Sequence, residues 1–168
     1  MLEWIAYACL IAATTLLVAL SVIDLRVRLL PNRLVLPFAL LGICFHILTS
    51  WQYLNFTEVA AGGLLGFGVL YAIRAGANYV YKQDALGLGD VKLIGAAGLW
   101  LGPEMVMMAL VVGATAGLLH GIAAGLTTAY KTKSRPQFSR LQIPAGPGFA
   151  IGIVAVAVYM FQGFRPWE

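Results

Sequence analysis

Six apolar runs, at approximately 4–23, 34–50, 58–73, 91–101, 105–128 and 147–162, leave this chain little choice of environment. Only short hydrophilic connections separate them, at 24–33, 51–57, 74–90, 102–104 and 129–143. A run of about 20 residues spans the hydrocarbon core of a bilayer as an α-helix. Lipid offers the backbone no hydrogen-bond partners, so each crossing has to satisfy its own, which helices do and open sheets do not. A composition that is 61% apolar and 11% charged, with mean hydropathy +0.86, excludes an ordinary soluble domain. The expected architecture is all-α: a polytopic membrane bundle of about six transmembrane helices, in one integral-membrane domain over residues 1–168.

The basic residues orient the bundle. Arg26, Arg28 and Arg33 lie in the first connection, and Arg74, Lys82 and Lys92 lie in or beside the third. Lys131, Lys133, Arg135 and Arg140 lie in or beside the fifth; only Arg165, of the eleven, falls elsewhere. If all six runs cross, ten of the eleven share one side, which the positive-inside rule makes cytoplasmic. Glu3, Glu58, Glu104 and Glu168 then lie on the other side with both termini. The net charge of +4 is explained by this asymmetry and needs no nucleic acid. The run 91–101 is short, at about 16 Å of helix against a core of about 30 Å. Were it not to cross, the basic cluster at 131–140 would land outside, so the charge pattern argues that it does.

The first run is read as a retained helix, because Glu3 and no Lys or Arg precedes it, whereas a signal peptide begins with positive charge. Gly113, Gly117, Gly121 and Gly125 recur every fourth residue, as do Gly62 and Gly66. That spacing leaves a strip of bare backbone for close helix packing. Cys9 and Cys44 lie in apolar runs and read as small packing residues. His46 and His120 lie in apolar runs without the clustered partners a metal site requires, so polar packing is expected and no metal or cofactor.

Two acids stand out against this background. Asp24 follows the first run, in Ser21-Val22-Ile23-Asp24-Leu25-Arg26, and Asp90 closes Gly87-Leu88-Gly89-Asp90. A carboxylate at bilayer depth costs roughly 2.5–3.5 kcal/mol on insertion scales and is a functional candidate by default. Each has a structural alternative. Asp90 has the position of an N-cap, and Asp24 can pair with Arg26 or Arg28. Asn32 is the expected N-cap of the second helix, Asp84 is a solvated loop charge, and Lys92 either snorkels to the interface or orients a substrate acid. Gly87 and Gly89 free the backbone for close approach by an extended substrate. Two carboxyls meeting across the bundle would share one proton and suit acid–base hydrolysis of a peptide bond.

Asp24-Leu25-Arg26 with Leu30-Pro31-Asn32, then Gly87-Leu88-Gly89-Asp90-Val91-Lys92-Leu93, then Ile143-Pro144-Ala145-Gly146-Pro147-Gly148, resembles the type IV prepilin peptidases. These are membrane aspartic proteases of the Gly-x-Gly-Asp class, and the three blocks in this order extend over nearly the whole chain. The resemblance implies Asp24 and Asp90 as the catalytic pair, with Gly87, Gly89 and Lys92 as substrate-contacting residues. It implies removal of the basic leader of a pilin-like precursor, after a glycine, at the cytoplasmic side of the inner membrane. Larger members carry a cysteine-paired insertion and also methylate the new N-terminus. Neither the insertion nor the pairs are present in these 168 residues, which resemble the compact form, so peptidase activity without methyl transfer is expected. The expected partners are the lipid bilayer and a prepilin or pseudopilin precursor of a pilus or secretion system. A homo-oligomer is left open, and nucleic acid is not expected. The competing readings are an ion- or proton-coupled transporter using the two acids, and a non-catalytic assembly protein using the glycine faces.

Overall fold

The computed structural model describes residues 2–82, 86–132 and 145–164. They form α1 (Leu2–Val27), α2 (Asn32–Leu48), α3 (Phe56–Tyr81), α4 (Leu88–Thr132) and α5 (Gly146–Phe161), and the fold is all-α among the described residues. Asp84, Lys133, Arg135, Arg140, Ile143, Pro144, Arg165 and Glu168 lie outside them. Leu2–Val27, Phe56–Tyr81 and the stretch Leu88–Thr127 are long and apolar enough to cross a membrane; Asn32–Leu48 and Gly146–Phe161 are shorter apolar helices. Large apolar side chains such as Leu36, Leu64, Val111, Leu118 and Val158 point outward and are exposed. A soluble monomer does not present so much apolar surface, whereas a bundle facing lipid does. The chain is a multi-pass membrane protein.

Local chemistry accounts for the helix ends. Arg28 adopts the left-handed conformation, φ 54°, and its N–H donates to the Asp24 carbonyl at 2.9 Å, closing α1 just beyond the acid. Asn55 and Glu58 form a capping box that starts α3. Helix α3 runs on to Tyr81, so Arg74 is helical and not in a connection, as the hydropathy pattern had placed it. Hydropathy locates the membrane boundary; it does not stop a helix whose residues remain good helix formers in water. The expected N-cap of α2 is also displaced: Pro31 takes that position in an extended conformation, and Asn32 begins the helix.

The two expected runs 91–101 and 105–128 lie within α4, which is broken at Gly102, where φ 72° and ψ 179° are not helical. Twelve residues of straight helix would hold Ile94 and Val106 about 18 Å apart. Both lie instead against Gly66: a Cβ there would be 2.7 Å from the Ile94 carbonyl oxygen and 3.1 Å from a Val106 methyl. The chain therefore folds back at Gly102, laying two arms side by side. Pro103 follows the break and begins the second arm without the N–H it would otherwise leave unpaired. Only glycine adopts the Gly102 conformation without strain, and a Cβ there would also meet Leu54 at 2.9 Å. Gly102→Ala is expected to lower stability by about 1–3 kcal/mol, read as an earlier midpoint in thermal unfolding in detergent.

Helix α4 is the centre of the bundle. It packs against α2, α3 and α5, while α1 packs against α2 and α5. Val91, Ile94, Ala97, Val106 and Ala109 along α4 are completely buried. Glycines set the closeness of both large seams. Gly62 of α3 lies against the backbone of Gly98, and Gly148 of α5 would place a Cβ 2.8 Å from the Gly113 carbonyl oxygen. The expected packing faces at Gly62/Gly66 and at Gly113 are present. At the end of the bundle away from Asp24, Trp100 stacks on Phe38, and its indole N–H donates to the Phe38 carbonyl at 2.8 Å. The buried His46 places Nε2 3.0 Å from the Trp100 carbonyl oxygen. It is a packing histidine held by one backbone contact. The side chain of His120 is exposed. Cys9 is a buried free thiol and Cys44 an exposed one.

Candidate active site

Helix α1 carries Asp24 one turn before its C-terminus, on the face that also buries Ala13, Leu17 and Leu20. The spacing of four to seven residues keeps the acid on the stripe turned into the bundle. The side chain is only 5% exposed. The macrodipole of its own helix disfavours an anion there, so another element has to supply the compensation. That element is α5. Gly146, its first residue, donates its N–H to Asp24 Oδ2 at 2.9 Å across 122 residues of sequence. The unpaired amides of a helix start are natural donors to a carboxylate.

Asp90 lies in the first turn of α4, which begins at Leu88; it is therefore inside the helix and not its N-cap. It is 8% exposed, and its Oδ1 is buried with no hydrogen-bond partner among the described residues. An orphaned carboxyl oxygen in such a buried position is costly and makes Asp90 a candidate for a functional group. Oδ2 rests against Gly87, where a Cβ would come within 2.9 Å of it. The two acids, 66 positions apart in sequence, lie within electrostatic reach of one another. Asp24 thus has a backbone donor on Oδ2, while Asp90 Oδ1 has none among the described residues.

The flanking residues have separable placements. Gly89 gives room to the turn after α1: a Cβ there would meet the Leu30 Cβ at 2.8 Å. Lys92 follows Asp90 by two positions, which turns it roughly 200° away around the helix. It is half-buried, and its ammonium donates to Asn32 Oδ1 at 3.0 Å, joining α4 to α2. The same two residues line the end of a groove of about 490 Å³ between α2, α3 and α4, whose walls include Ala39, Gly63 and Phe67. Lys92 therefore serves the groove side of α4, while Asp90 serves the Asp24 side.

Two site-building residues escaped sequence reasoning. Gly146 was legible only as part of a proline- and glycine-rich stretch, with no local sign that its amide reaches Asp24. Arg74 donates through its guanidinium to the Leu86 carbonyl, securing the residues just before Gly87. Its position next to an apolar run suggested only a topological role. Among the described residues, no three His, Cys, Asp or Glu side chains group as metal ligands.

Residues 11–122 match the type IV leader peptidase family. A prepilin leader peptidase/N-methyltransferase of Escherichia coli K12 is 36% identical over 107 residues, 64% of this chain and 47% of that protein. A protein of the same description from Aeromonas salmonicida is 33% identical over 138 residues, 82% of this chain and 44% of its own. A third, from Burkholderia pseudomallei, is 29% identical over 143 residues, 85% of this chain and 43% of its own. The chain spans less than half the length of these curated relatives. No solved structure matches it.

Proposed function

We propose, since the chain belongs to the type IV leader peptidase family, that it is an aspartic endopeptidase that removes the basic leader of prepilin-like precursors at the cytoplasmic face of the inner membrane. The observation that supports this best is that two buried carboxyls, Asp24 and Asp90, lie within electrostatic reach of each other. Like charges at close range do not both ionise easily, so the pair retains one proton. The ionised carboxylate takes a proton from a water molecule as that water attacks the scissile carbonyl carbon. The protonated partner donates to the carbonyl oxygen, and a proton then passes to the leaving amine as the C–N bond breaks. The balance needs only water and the two carboxyls.

The topology that accompanies this reading has six crossings, with both termini outside. The fold-back at Gly102 supports it, because Leu88–Thr127 as one straight rod would be about 60 Å long, twice the hydrocarbon core. Gly87 and Gly89 give the extended cleavage segment access to the pair, and Lys92 offers a positive charge to an acidic group of the substrate. On that assignment Lys92→Met raises KM for a precursor several-fold with little change in kcat, and Lys92→Arg restores it, as measured by steady-state cleavage kinetics. These 168 residues carry hydrolysis without methyl transfer.

The test is incubation of the purified chain, in liposomes, with a prepilin and S-adenosylmethionine, followed by mass spectrometry of the product. The expected product is shortened at one bond after a leader glycine and unmethylated. An intact precursor with proton or ion flux in sealed vesicles would replace the peptidase with a transporter. A methylated product would refute the separation of the two activities.

A further inference from the structure

We propose that Gly146 is a positioning residue for the aspartate pair: its amide holds Asp24 as the charged member and leaves the shared proton on Asp90. The inference rests on the reading of Asp24 and Asp90 as the hydrolytic pair, and it goes beyond that reading by assigning unequal roles to two chemically identical side chains. Both acids lie beside a helix start, Asp24 at that of α5 and Asp90 within the first turn of α4. The end of α1 opposes charge on Asp24 and the start of α5 offsets it, so the dipoles alone give Asp24 no advantage over Asp90. The donated hydrogen bond does. Asp24 Oδ2 accepts the Gly146 N–H at 2.9 Å, whereas Asp90 Oδ1 is buried without a donor among the described residues. A hydrogen bond donated to a carboxylate favours its charged form, and the proton of the pair then rests on the carboxyl whose buried oxygen lacks such a donor among the described residues.

The surrounding charges leave this assignment in place. The group facing Asp24 from α4 is Asp90. Arg26 and Arg28 at the end of α1, and Arg33 on α2, have exposed side chains. Lys92 is engaged with Asn32 on the other face of α4. Helix α5 carries no titratable side chain before Tyr159, near its far end. The backbone at 146 therefore gives Asp24 a donor that Asp90 Oδ1 lacks among the described residues. It also has to be glycine, because a Cβ would come within 2.7 Å of Asp24 Oδ2 and 2.9 Å of its Cγ. With one oxygen of Asp24 held by the amide, the other is left to take the proton of the attacking water. Asp24 is then the general base, and Asp90 donates to the carbonyl oxygen.

The chain contains three aspartates, Asp24, Asp84 and Asp90, so labelling aspartate with ¹³C at the side-chain carboxyl gives three signals in the full-length protein. Asn substitutions assign them. Near neutral pH the Asp24 signal is expected at the ionised position and the Asp90 signal at the protonated one. Replacing Gly146 by glycolic acid, by semisynthesis, exchanges the amide for an ester and removes only the N–H. The Asp24 signal then moves towards the protonated position, and kcat falls about ten- to a hundredfold, the measured worth of a hydrogen bond to a charged group, with KM retained. Gly146→Ala keeps the N–H but displaces the carboxylate, and it lowers kcat as well. A protonated Asp24 beside an ionised Asp90, or an Asp24 signal unmoved by the ester, overturns the proposal. The carboxyl signals need no substrate, so a failure to cleave any prepilin leaves this measurement standing and counts against the peptidase reading alone.

Discussion

Gly98→Val is expected to cost about 3 kcal/mol or more of stability and to push α3 away from the first arm of α4. The expectation follows from the backbone itself. Gly98 and Gly62 face each other so closely that a Cβ on either would overlap the other's carbonyl oxygen. No rotamer change relieves a clash with main chain, so one helix has to move. Gly66 lies 2.7 Å, by the same measure, from the Ile94 carbonyl oxygen, and Ile94 and Ala97 beside it are fully buried, so the seam has no slack along its length. Gly62→Val should have a similar effect, and the double variant should lose less than the sum, because the first substitution already separates the helices. Gly76, on α3, meets nothing within 4 Å and is the control; Gly76→Ala should leave stability unchanged or slightly raised. Thermal unfolding in detergent reads all four. Unaltered stability of Gly98→Val would show that the two backbones are not in contact.

What was legible beforehand, and what was not, divides along a physical line. Hydropathy located the apolar helices, because burial in lipid depends on residue type averaged over a whole turn or more. It also marked Asp24 and Asp90, whose cost in that setting is a local property of the sequence. It underestimated the lengths of the helices, since α3 continues past Arg74 for seven more residues into a polar setting. It misplaced two caps, because whether Pro31 or Asn32 takes the extended position depends on the angles of the incoming turn. Contacts between distant segments were the least visible. Nothing near Gly146 reveals that its amide meets a residue 122 positions earlier, and nothing near Asn32 reveals its bond to Lys92. Gly98 and Gly102 are spaced by four, as Gly62 and Gly66 are, and that spacing was the available hint of the α3–α4 seam.

Asp24→Asn and Asp90→Asn are each expected to lower kcat for leader removal by about 10³-fold or more while the protein stays folded and inserted. Positioned acid–base catalysis contributes about 10²–10⁴-fold, and here one pair supplies both the proton acceptor and the proton donor. Asparagine preserves shape but neither accepts the water's proton nor returns one. Asp24→Asn can still take a hydrogen bond from the Gly146 amide through its carbonyl oxygen, so the α1–α5 link survives and the loss is chemical, not structural. Asp90→Asn substitutes a carboxyl whose Oδ1 has no partner to lose among the described residues, so the folded protein should tolerate it well. Precursor binding should be retained by both variants, which pull-down of an uncleaved prepilin checks. A variant that neither binds nor melts like the parent would point to a structural role for that aspartate.

The central claim is that the two carboxyls act as one unit, and single-turnover cleavage by the two single variants and by the Asp24→Asn/Asp90→Asn double variant tests it most directly. Residues that act together lose almost everything with the first substitution, so the account predicts that the double variant is no slower than either single one. A double variant slower by the product of the two individual losses would mean two independent contributions. That result would contradict a shared-proton pair at Asp24 and Asp90.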